Sequence, residues 1–295
     1  MNEKLKSKLC FSGSMFVFGT IGIFRRYLPF PSGTIAFFRG ITGALFLLVL
    51  MLLKKQKRDR EALRKNALFL CLSGAFIGAN WILLFEAYNY TTVATATLCY
   101  YMAPIIVLIL SPFVLREKLT LKNGICVFTS LIGMLLVSGV TSQGRGESTS
   151  VKGILLGLGA AVLYAGVIML NRKIHDIGAY DKTIVQLAAA SAVILPYTLI
   201  AERVNTADIN LKTVAVLLAV GIVHTGISYA VYFGSMDNMS AQSIALLSYI
   251  DPVVALLLSA IILRESMGVP QIIGAVLILG STVSGELDFK NKVTT

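Results

Sequence analysis

Long apolar stretches alternate with short polar segments along the whole chain of 295 residues. Each apolar stretch carries few or no charges over about 20 residues, the length that an α-helix needs to cross a hydrocarbon core about 30 Å thick. The pattern predicts an all-α integral membrane protein with ten transmembrane helices, at residues 8–28, 33–53, 67–87, 93–115, 122–140, 153–171, 183–200, 213–235, 240–263 and 269–287.

The amino-acid composition also indicates a membrane protein. Apolar residues make up 56% of the chain and charged residues 14%, with a mean hydropathy of +0.79, and these values lie outside the range of soluble globular proteins. The N-terminal segment has a basic start and an apolar run, but no small-residue cleavage site follows. We therefore expect it to be retained as the first helix rather than removed as a signal peptide.

The second half of the chain repeats the first at a constant offset of 148 residues. Ten of the 33 positions in 85–117 are identical to their counterparts in 233–265, and the alignment needs no gap. Such self-similarity is the signature of a duplicated architecture. The identical positions of the first copy are Phe85, Leu98, Tyr101, Pro104, Leu108, Leu110, Ser111, Leu115, Arg116 and Glu117.

The duplication predicts two units of five helices, at residues 1–146 and 147–295. Because five is odd, the second unit must enter the membrane upside down relative to the first. Inverted repeats are typical of secondary transporters, in which two near-equivalent arrangements expose one site to either side of the membrane in turn.

The distribution of Lys and Arg predicts the orientation. With both termini in the cytoplasm, 18 of these residues lie on the cytoplasmic side and seven on the other, as the positive-inside rule requires. We expect a multi-pass protein of the cell membrane. The net charge of +11 is then explained by topology and by anionic lipid headgroups, and we expect no nucleic-acid partner.

Signatures of catalysis and of metal binding are missing from the sequence. The four cysteines fall in apolar spans without a CxxC pair or a His at ligand spacing, so we interpret them as packing residues. No Walker A, GxSxG or HExxH motif occurs. We therefore expect no enzyme activity, no metal and no cofactor.

Small residues at Gly74/Gly78 and Gly153/Gly157 indicate close helix packing, and we expect a monomer or a weak homodimer.

Two pairs of motifs carry a resemblance to a known family. Tyr-Tyr-Met-Ala-Pro at 100–104 leads to Leu-Arg-Glu-Lys-Leu-Thr at 115–120, and Ser-Tyr-Ile-Asp-Pro at 248–252 leads to Leu-Arg-Glu-Ser at 263–266. Together with the ten spans, this pattern resembles the drug/metabolite transporter superfamily, specifically the EamA-type exporters, over essentially the whole chain. The resemblance implies an exporter of amino acids, purines or other metabolites, without naming the cargo.

Four ionisable side chains inside the spans are candidates for function: Arg39, Glu86, His224 and Asp251. A charge at mid-membrane costs about 2.5–3.5 kcal/mol on insertion scales, so such a residue usually lines a cavity or has a partner. Arg39 could bind a substrate carboxylate or form a buried ion pair with Glu86. Glu86 could instead be a solvated helix end. His224 could relay protons or be a hydrogen-bonded packing residue.

Asp251 is the most informative of the four. Its counterpart in the first repeat is Ala103, so symmetry does not require a carboxylate there. It precedes Pro252, which we expect to kink its helix and free backbone carbonyls, as we expect of Pro104 in the first repeat. An acidic group beside free carbonyls suits a cation, an ammonium group or a proton. The alternative is that Asp251 caps the broken backbone or pairs with a neighbouring helix.

Aromatic residues cluster on the same elements. The rings of this cluster could wall a mostly apolar pocket and stack on an organic cation, although Trp81 and Tyr88 could instead belong to an interfacial belt. The cluster consists of Trp81, Tyr88, Tyr100 and Tyr101 in the first repeat and Tyr164, Tyr229, Tyr232 and Tyr249 in the second. We expect the side chains of Tyr101, Tyr249, Arg39 and Asp251 to face one water-accessible space.

The leading hypothesis is a secondary active transporter that exports a small organic metabolite, with amino acids as the first class to test. Arg39 and Asp251 would hold the carboxylate and ammonium ends of a zwitterion. The alternative within transport is a proton-coupled exporter of cationic or aromatic drug-like compounds. A membrane-embedded enzyme or a channel fits less well, because the first needs a nucleophile or metal set and the second needs no inverted repeat.

Overall fold

The computed structural model describes residues 3–56, 58–91, 93–137, 150–262 and 268–287. Over these residues the chain is helical and contains no β-strand. The helices are α1 (Glu3–Gly19), α2 (Ile21–Arg25), α3 (Ser32–Leu53), α4 (Arg60–Ala87), α5 (Val93–Tyr100), α6 (Ala103–Val114), α7 (Leu121–Val137), α8 (Val151–Asn171), α9 (Ala179–Ala201), α10 (Leu211–Ala219), a π-helical segment (Val220–Ile227), α11 (Ser228–Ser235), α12 (Ala241–Leu247), α13 (Ile250–Ile262) and α14 (Val269–Leu287).

Eight helical segments of the described chain are long and apolar enough to cross a membrane. Two further apolar helices, Leu121–Val137 and Val269–Gly285, are shorter. The all-α membrane architecture is thus confirmed, while the number of ten spans stays a prediction. The boundary near residue 147, and Arg264 and Glu265 of the second repeat, lie outside the described residues.

Three of the membrane segments are broken helices. The first breaks at Thr20, between α1 and α2. The other two break at residues 101–102 and 248–249, about one turn before Pro104 and Pro252. Each proline therefore lies in the first turn of the following helix, where its missing N–H costs no hydrogen bond.

Helix packing in one half has a counterpart in the other. Helix α4 packs on α8 and α9. The corresponding segment of the second half, which consists of α10, the π-helical segment and α11, packs on α3 and α1. The pairs α3–α9 and α7–α14 join helices that correspond at the offset of 148. The two halves therefore use the same set of helix contacts.

Glycines lie where these helices approach closely. A Cβ atom on Gly78 would lie 2.6 Å from the backbone oxygen of Ala190 in α9. Gly226, which follows Gly78 by 148 residues, faces α3 in the same way, and a Cβ atom there would lie 3.2 Å from the oxygen of Gly43. The other small residues predicted to pack at helix interfaces, Gly74, Gly153 and Gly157, also lie at such contacts.

Candidate functional site

A cavity of about 220 Å³ lies between the two halves of the bundle, enclosed by α1, α3, α4, α8, α11 and the broken helices around residues 101 and 248. Its walls are mostly aromatic. Only a few polar groups reach it, as expected of a site for a small organic molecule. The aromatic lining consists of Phe18, Trp81, Phe85, Tyr100, Tyr101, Tyr164, Tyr229, Tyr232 and Phe233, and the polar lining also includes Arg39, Asn80, Ser248 and Asp251.

Five of the eight predicted site residues line this cavity together: Arg39, Trp81, Tyr101, Tyr229 and Asp251. They come from α3, α4, α11 and the two helix breaks, and hence from both halves of the chain. The structure places the other three, Glu86, His224 and Tyr249, outside the cavity lining.

Asp251 lies at the start of α13, where the helix resumes after its break. The hydroxyl of Tyr101 donates a hydrogen bond to its Oδ2 atom at 3.0 Å. Tyr101 lies in the corresponding break of the first half, so the bond joins the two broken helices across the cavity. A carboxylate held in this way presents negative charge to a space that is otherwise largely apolar.

Arg39 enters the cavity from α3. Its guanidinium stacks on the ring of Trp81, with the Cζ atom 3.9 Å from the ring centre, a favourable cation–π geometry. The Nε atom is buried and has no hydrogen-bond partner in the described part of the chain. The residues that the structure describes also provide no carboxylate in ion-pair contact with Arg39. The site therefore holds a positive and a negative side chain that do not neutralise each other directly.

Trp81 and Tyr229 form a matched pair in the cavity wall. They are 148 residues apart in sequence and meet edge to face, with ring centres 6.2 Å apart. Trp81 is almost fully buried, and its contact with Arg39 places it at the site rather than in an interfacial belt.

Tyr249 has a different position from its counterpart Tyr101. Its side chain is fully buried, and its hydroxyl donates to the backbone oxygen of Tyr101 at 3.2 Å. Tyr249 thus braces the break that carries Tyr101 and lies one layer behind the cavity. The two tyrosines therefore differ in position although they lie in corresponding helix breaks.

Glu86 does not form the proposed ion pair with Arg39. The hydroxyl of Tyr197 in α9 donates to its Oε1 atom at 2.6 Å, and the amide of Asn89 donates to Oε2 at 3.4 Å. The carboxylate therefore joins α4 to α9 near one end of the bundle.

His224 lies in the π-helical segment and is buried. Its Nε2 atom shares a hydrogen bond of 2.8 Å with the hydroxyl of Thr20, at the break between α1 and α2. Phe24 packs edge to face on its ring. Through these contacts, His224 joins the π-helical segment to the first helix break.

Tyr164 and Tyr232 belong to the aromatic cluster named from the sequence, whereas Phe18 and Phe85 were not selected. Tyr164 and Tyr232 share a hydrogen bond of 2.9 Å between their hydroxyls within the cavity wall. Tyr232 corresponds to Leu84 at the offset of 148, and both line the cavity. A comparison of matched wall positions in the two repeats relates Leu84 to Tyr232. No sequence pattern indicates that Phe18 lines the cavity, because its position depends on how α1 packs against α11.

A polar cluster closes one end of the bundle, where α6, α8 and α11 end and α9 and α12 begin. Both carboxylate oxygens of Glu117 accept from the backbone N–H of Ala241, at 3.1 and 3.0 Å. Arg172 donates to Glu117 at 3.4 Å and to the backbone oxygen of residue 236 at 3.0 Å. Lys182 pairs with Asp237 at 2.7 Å. We call Glu117, Arg172, Lys182, Asp237 and Ala241 the closing cluster. The hydrogen bond between Ser7 and Asn238 places it at the end where the chain begins.

Towards the opposite end, a second cavity of about 370 Å³ adjoins the first. The two cavities share Ile21, Arg39 and Phe85 in their lining. We call the second cavity the vestibule. Arg39 therefore lies at the junction between the central cavity and a space that extends away from the closing cluster.

Comparison with known proteins agrees with this architecture. The sequence profile of the EamA-like transporter family matches the chain twice, over residues 5–139 and 151–284. A Bacillus subtilis (strain 168) protein described as the uncharacterized transporter YxxF is 29% identical over 265 residues, which cover 90% of this chain and 84% of that protein. A Salmonella typhimurium protein described as a probable amino-acid metabolite efflux pump is 27% identical over 195 residues, 63% of this chain and 64% of its own length.

A solved crystal structure has the same fold. It superposes with a TM-score of 0.84 over 97% of this chain and 99% of its own, at 17% sequence identity. At that identity the likeness shows the arrangement of helices alone.

Proposed function

The chain belongs to the EamA-like transporter family, and we propose that it is a secondary active transporter that exports a small zwitterionic metabolite, with amino acids as the first class. In this proposal ten helices form two inverted units of five, and both termini face the cytoplasm across the cell membrane. The matched helix contacts of the two halves and the excess of Lys and Arg on the terminal side support this arrangement.

The proposal of a zwitterionic cargo rests on one observation. Arg39 and Asp251 reach the same aromatic cavity without pairing with each other. A planar guanidinium binds a carboxylate through two parallel hydrogen bonds. A carboxylate in an apolar cavity suits an ammonium group. The charged ends of an amino acid would replace the lost hydration of both side chains, and its side chain would contact the aromatic wall.

The mechanism that we propose is alternating access. In our orientation the closing cluster seals the cytoplasmic end, whereas the central cavity adjoins the vestibule on the outer side. This arrangement corresponds to the outward-facing member of the pair of states that an inverted repeat provides. Reaching the inward-facing state requires the contacts of Glu117 with Ala241 and Arg172 to break.

The seal can be tested at Glu117. We expect Glu117→Gln to weaken both contacts, because the charge is lost, and so to raise the population of the inward-facing state. The rate at which a membrane-impermeant thiol reagent, applied only from the cytoplasmic side, modifies Ser248→Cys in a Cys-free background should then increase several-fold. An equal rate in the parent and the Glu117→Gln variant would exclude the cluster as the cytoplasmic seal.

A second candidate cargo is an organic cation exchanged for protons. The aromatic walls and Asp251 favour it, because both attract cations, and a carboxyl whose surroundings change during transport could bind a proton on one side and release it on the other. Arg39 disfavours it, because a guanidinium in the same cavity repels a cargo that has no anionic group.

Counterflow in proteoliposomes tests the proposal. Purified protein is reconstituted with a mixture of unlabelled amino acids inside, and labelled amino acids are offered one at a time outside, with and without a proton gradient. A secondary transporter gives transient accumulation of its cargo by exchange. A channel gives none, and an enzyme converts the label. Accumulation of organic cations but of no amino acid would replace the first candidate by the second.

A further inference from the structure

The vestibule contains a charged residue, Arg25, that has no role in the transport cycle described above. Its lining comes from α2, α3, α4, the π-helical segment and the adjoining turns. It contains two arginines, Arg25 and Arg39, and the described residues that line it include no Asp or Glu. Arg25 ends α2 and is exposed, whereas Arg39 lies at the inner end. The cavity is therefore positively charged at both ends.

Two carboxylates beside residues of the vestibule lining already accept hydrogen bonds from other groups. Glu86 accepts hydrogen bonds from Tyr197 and Asn89. Glu202 accepts from the backbone N–H groups of residues 33 and 34, at 2.7 and 2.6 Å, and from the hydroxyl of Thr34 at 2.7 Å. Neither carboxylate forms an ion pair with an arginine of the vestibule within the described residues. The positive charge of the cavity is thus available to a ligand.

The position of Arg25 results from the break in the first helix. The chain resumes as α2 after Thr20, and one guanidinium nitrogen of Arg25 donates to the backbone oxygen of Leu28. Leu28 itself lines the vestibule. This bond holds the guanidinium at the wall of the cavity rather than leaving it in the loop.

Physical reasons favour an anion in such a cavity. A narrow cleft with low-dielectric walls and one sign of charge concentrates ions of the opposite sign. Arginine is also the side chain best suited to a carboxylate or phosphate, because its fork of N–H groups matches their geometry. Arg39 borders both cavities and Arg25 lines the vestibule, so an anionic group in the vestibule would have access to two guanidinium groups.

We propose that the vestibule is a second binding site, specific for anionic groups, through which the carboxylate of the cargo moves between Arg39 and Arg25. Its place on the transport path rests on the proposed function, but its preference for anions does not. The site makes the outer path selective for molecules that carry a carboxylate.

The single tryptophan of the chain makes this proposal measurable without knowledge of the cargo. Trp81 lies under the guanidinium of Arg39, at the inner end of the vestibule. Iodide, an anionic quencher, and acrylamide, a neutral one, are titrated against its fluorescence in the purified protein at constant ionic strength. If the vestibule gathers anions, Arg25→Gln lowers the iodide quenching constant by about twofold or more, through loss of local anion concentration, and leaves acrylamide quenching unchanged.

Matched variants serve as controls. Arg25→Lys keeps the charge and should keep most of the iodide quenching. The neighbouring arginine, Arg26, does not line the vestibule, and Arg26→Gln should behave like the parent protein. Acrylamide quenching reports whether a variant keeps its fold around Trp81, since a neutral quencher responds to access and not to charge.

Competition identifies the anionic group. Benzoate should protect Trp81 from iodide, and benzylamine, of similar size but opposite charge, should not. The proposal is overturned if iodide does not reach Trp81, if Arg25→Gln and Arg26→Gln have equal effects, if iodide and acrylamide quenching fall together, or if benzylamine protects as well as benzoate. A transport assay that finds no amino-acid cargo would refute the proposed function while leaving this measurement interpretable.

Discussion

At the offset of 148, Trp81 in the first half corresponds to Tyr229 in the second, and both line the central cavity. The same offset relates Ala103 to Asp251 and Arg39 to Leu187, and in each of these pairs only the charged member lines the cavity. The two halves thus share the aromatic wall but not the charges.

The comparison separates two roles of sequence in a duplicated protein. Matched positions build the arrangement that both halves need, because each set of helix contacts occurs twice. Unmatched charged positions break the symmetry where the cargo binds, because a zwitterion has two different ends and cannot be recognised by two identical groups. The halves also differ in backbone: α4 is continuous, whereas its counterpart contains the π-helical segment before Tyr229, and π-helical turns frequently occur at functional sites.

The largest effect should come from removing the unmatched carboxylate. We predict that Asp251→Asn abolishes accumulation driven by a proton gradient but leaves exchange of cargo measurable, because exchange needs no net proton movement. Uptake and counterflow in proteoliposomes distinguish the two activities. Loss of both would mean that exchange depends wholly on the contact of Asp251 with the cargo or on its role in folding, and unchanged accumulation would remove Asp251 from coupling. Glu86→Gln, which changes a carboxylate outside the cavity lining, is the matched control.

A pair of matched glycines tests the shared packing. Gly78→Ala should destabilise the protein by about 1–3 kcal/mol, as expected when a methyl group is forced into a close helix contact. Gly226→Ala should cost less, because the corresponding gap is wider, 3.2 Å against 2.6 Å. Thermal unfolding in detergent, followed by circular dichroism, gives the order of the two costs. The reverse order would show that the two interfaces are not built alike.

The smallest effects should distinguish Tyr101 from Tyr249. Tyr101→Phe removes the hydrogen bond to Asp251 and should change cargo affinity several-fold with little loss of stability. Tyr249→Phe removes a buried bond to a backbone oxygen and should cost about 1 kcal/mol of stability without changing cargo selectivity. In a Cys-free background, a polar thiol reagent should modify Tyr101→Cys and not Tyr249→Cys. Equal reactivity would contradict the positions assigned to the two rings.

Eight of the predicted membrane segments match long apolar helices of the structure, with ends that agree to within seven residues, because each is a long apolar stretch. Arg39 and Asp251 were predictable as cavity residues, because charge inside an apolar span needs a polar environment. The burial of Tyr249 was not, since Tyr101 and Tyr249 occupy matched positions of the repeat and the sequence does not distinguish them. The π-helical segment leaves no sequence signal. Glu86 and Tyr197 come from different halves, and only the packing of α4 on α9 brings them together.

Arg25, at the edge of the membrane, also could not be predicted as a cavity residue from the sequence. In the sequence it is one of two adjacent arginines near the end of the predicted span 8–28, and both were counted among the seven Lys and Arg on the non-cytoplasmic side. The break at Thr20 and the short α2 bring Arg25 alone to the wall of the vestibule. Neither feature is visible in the pattern of apolar residues.

The central claim is that Arg39 and Asp251 recognise opposite ends of one zwitterion, and a cross-comparison of cargo and variant tests it most directly. Counterflow is measured for the amino acid that the parent protein exchanges best, for its methyl ester and for its N-acetyl derivative, in the parent, Arg39→Gln and Asp251→Asn proteins. We predict that the parent rejects both derivatives, that Arg39→Gln no longer distinguishes the ester from the acid, and that Asp251→Asn no longer distinguishes the N-acetyl compound from the free amine. Variants that lower exchange of all three compounds by the same factor would contradict the claim.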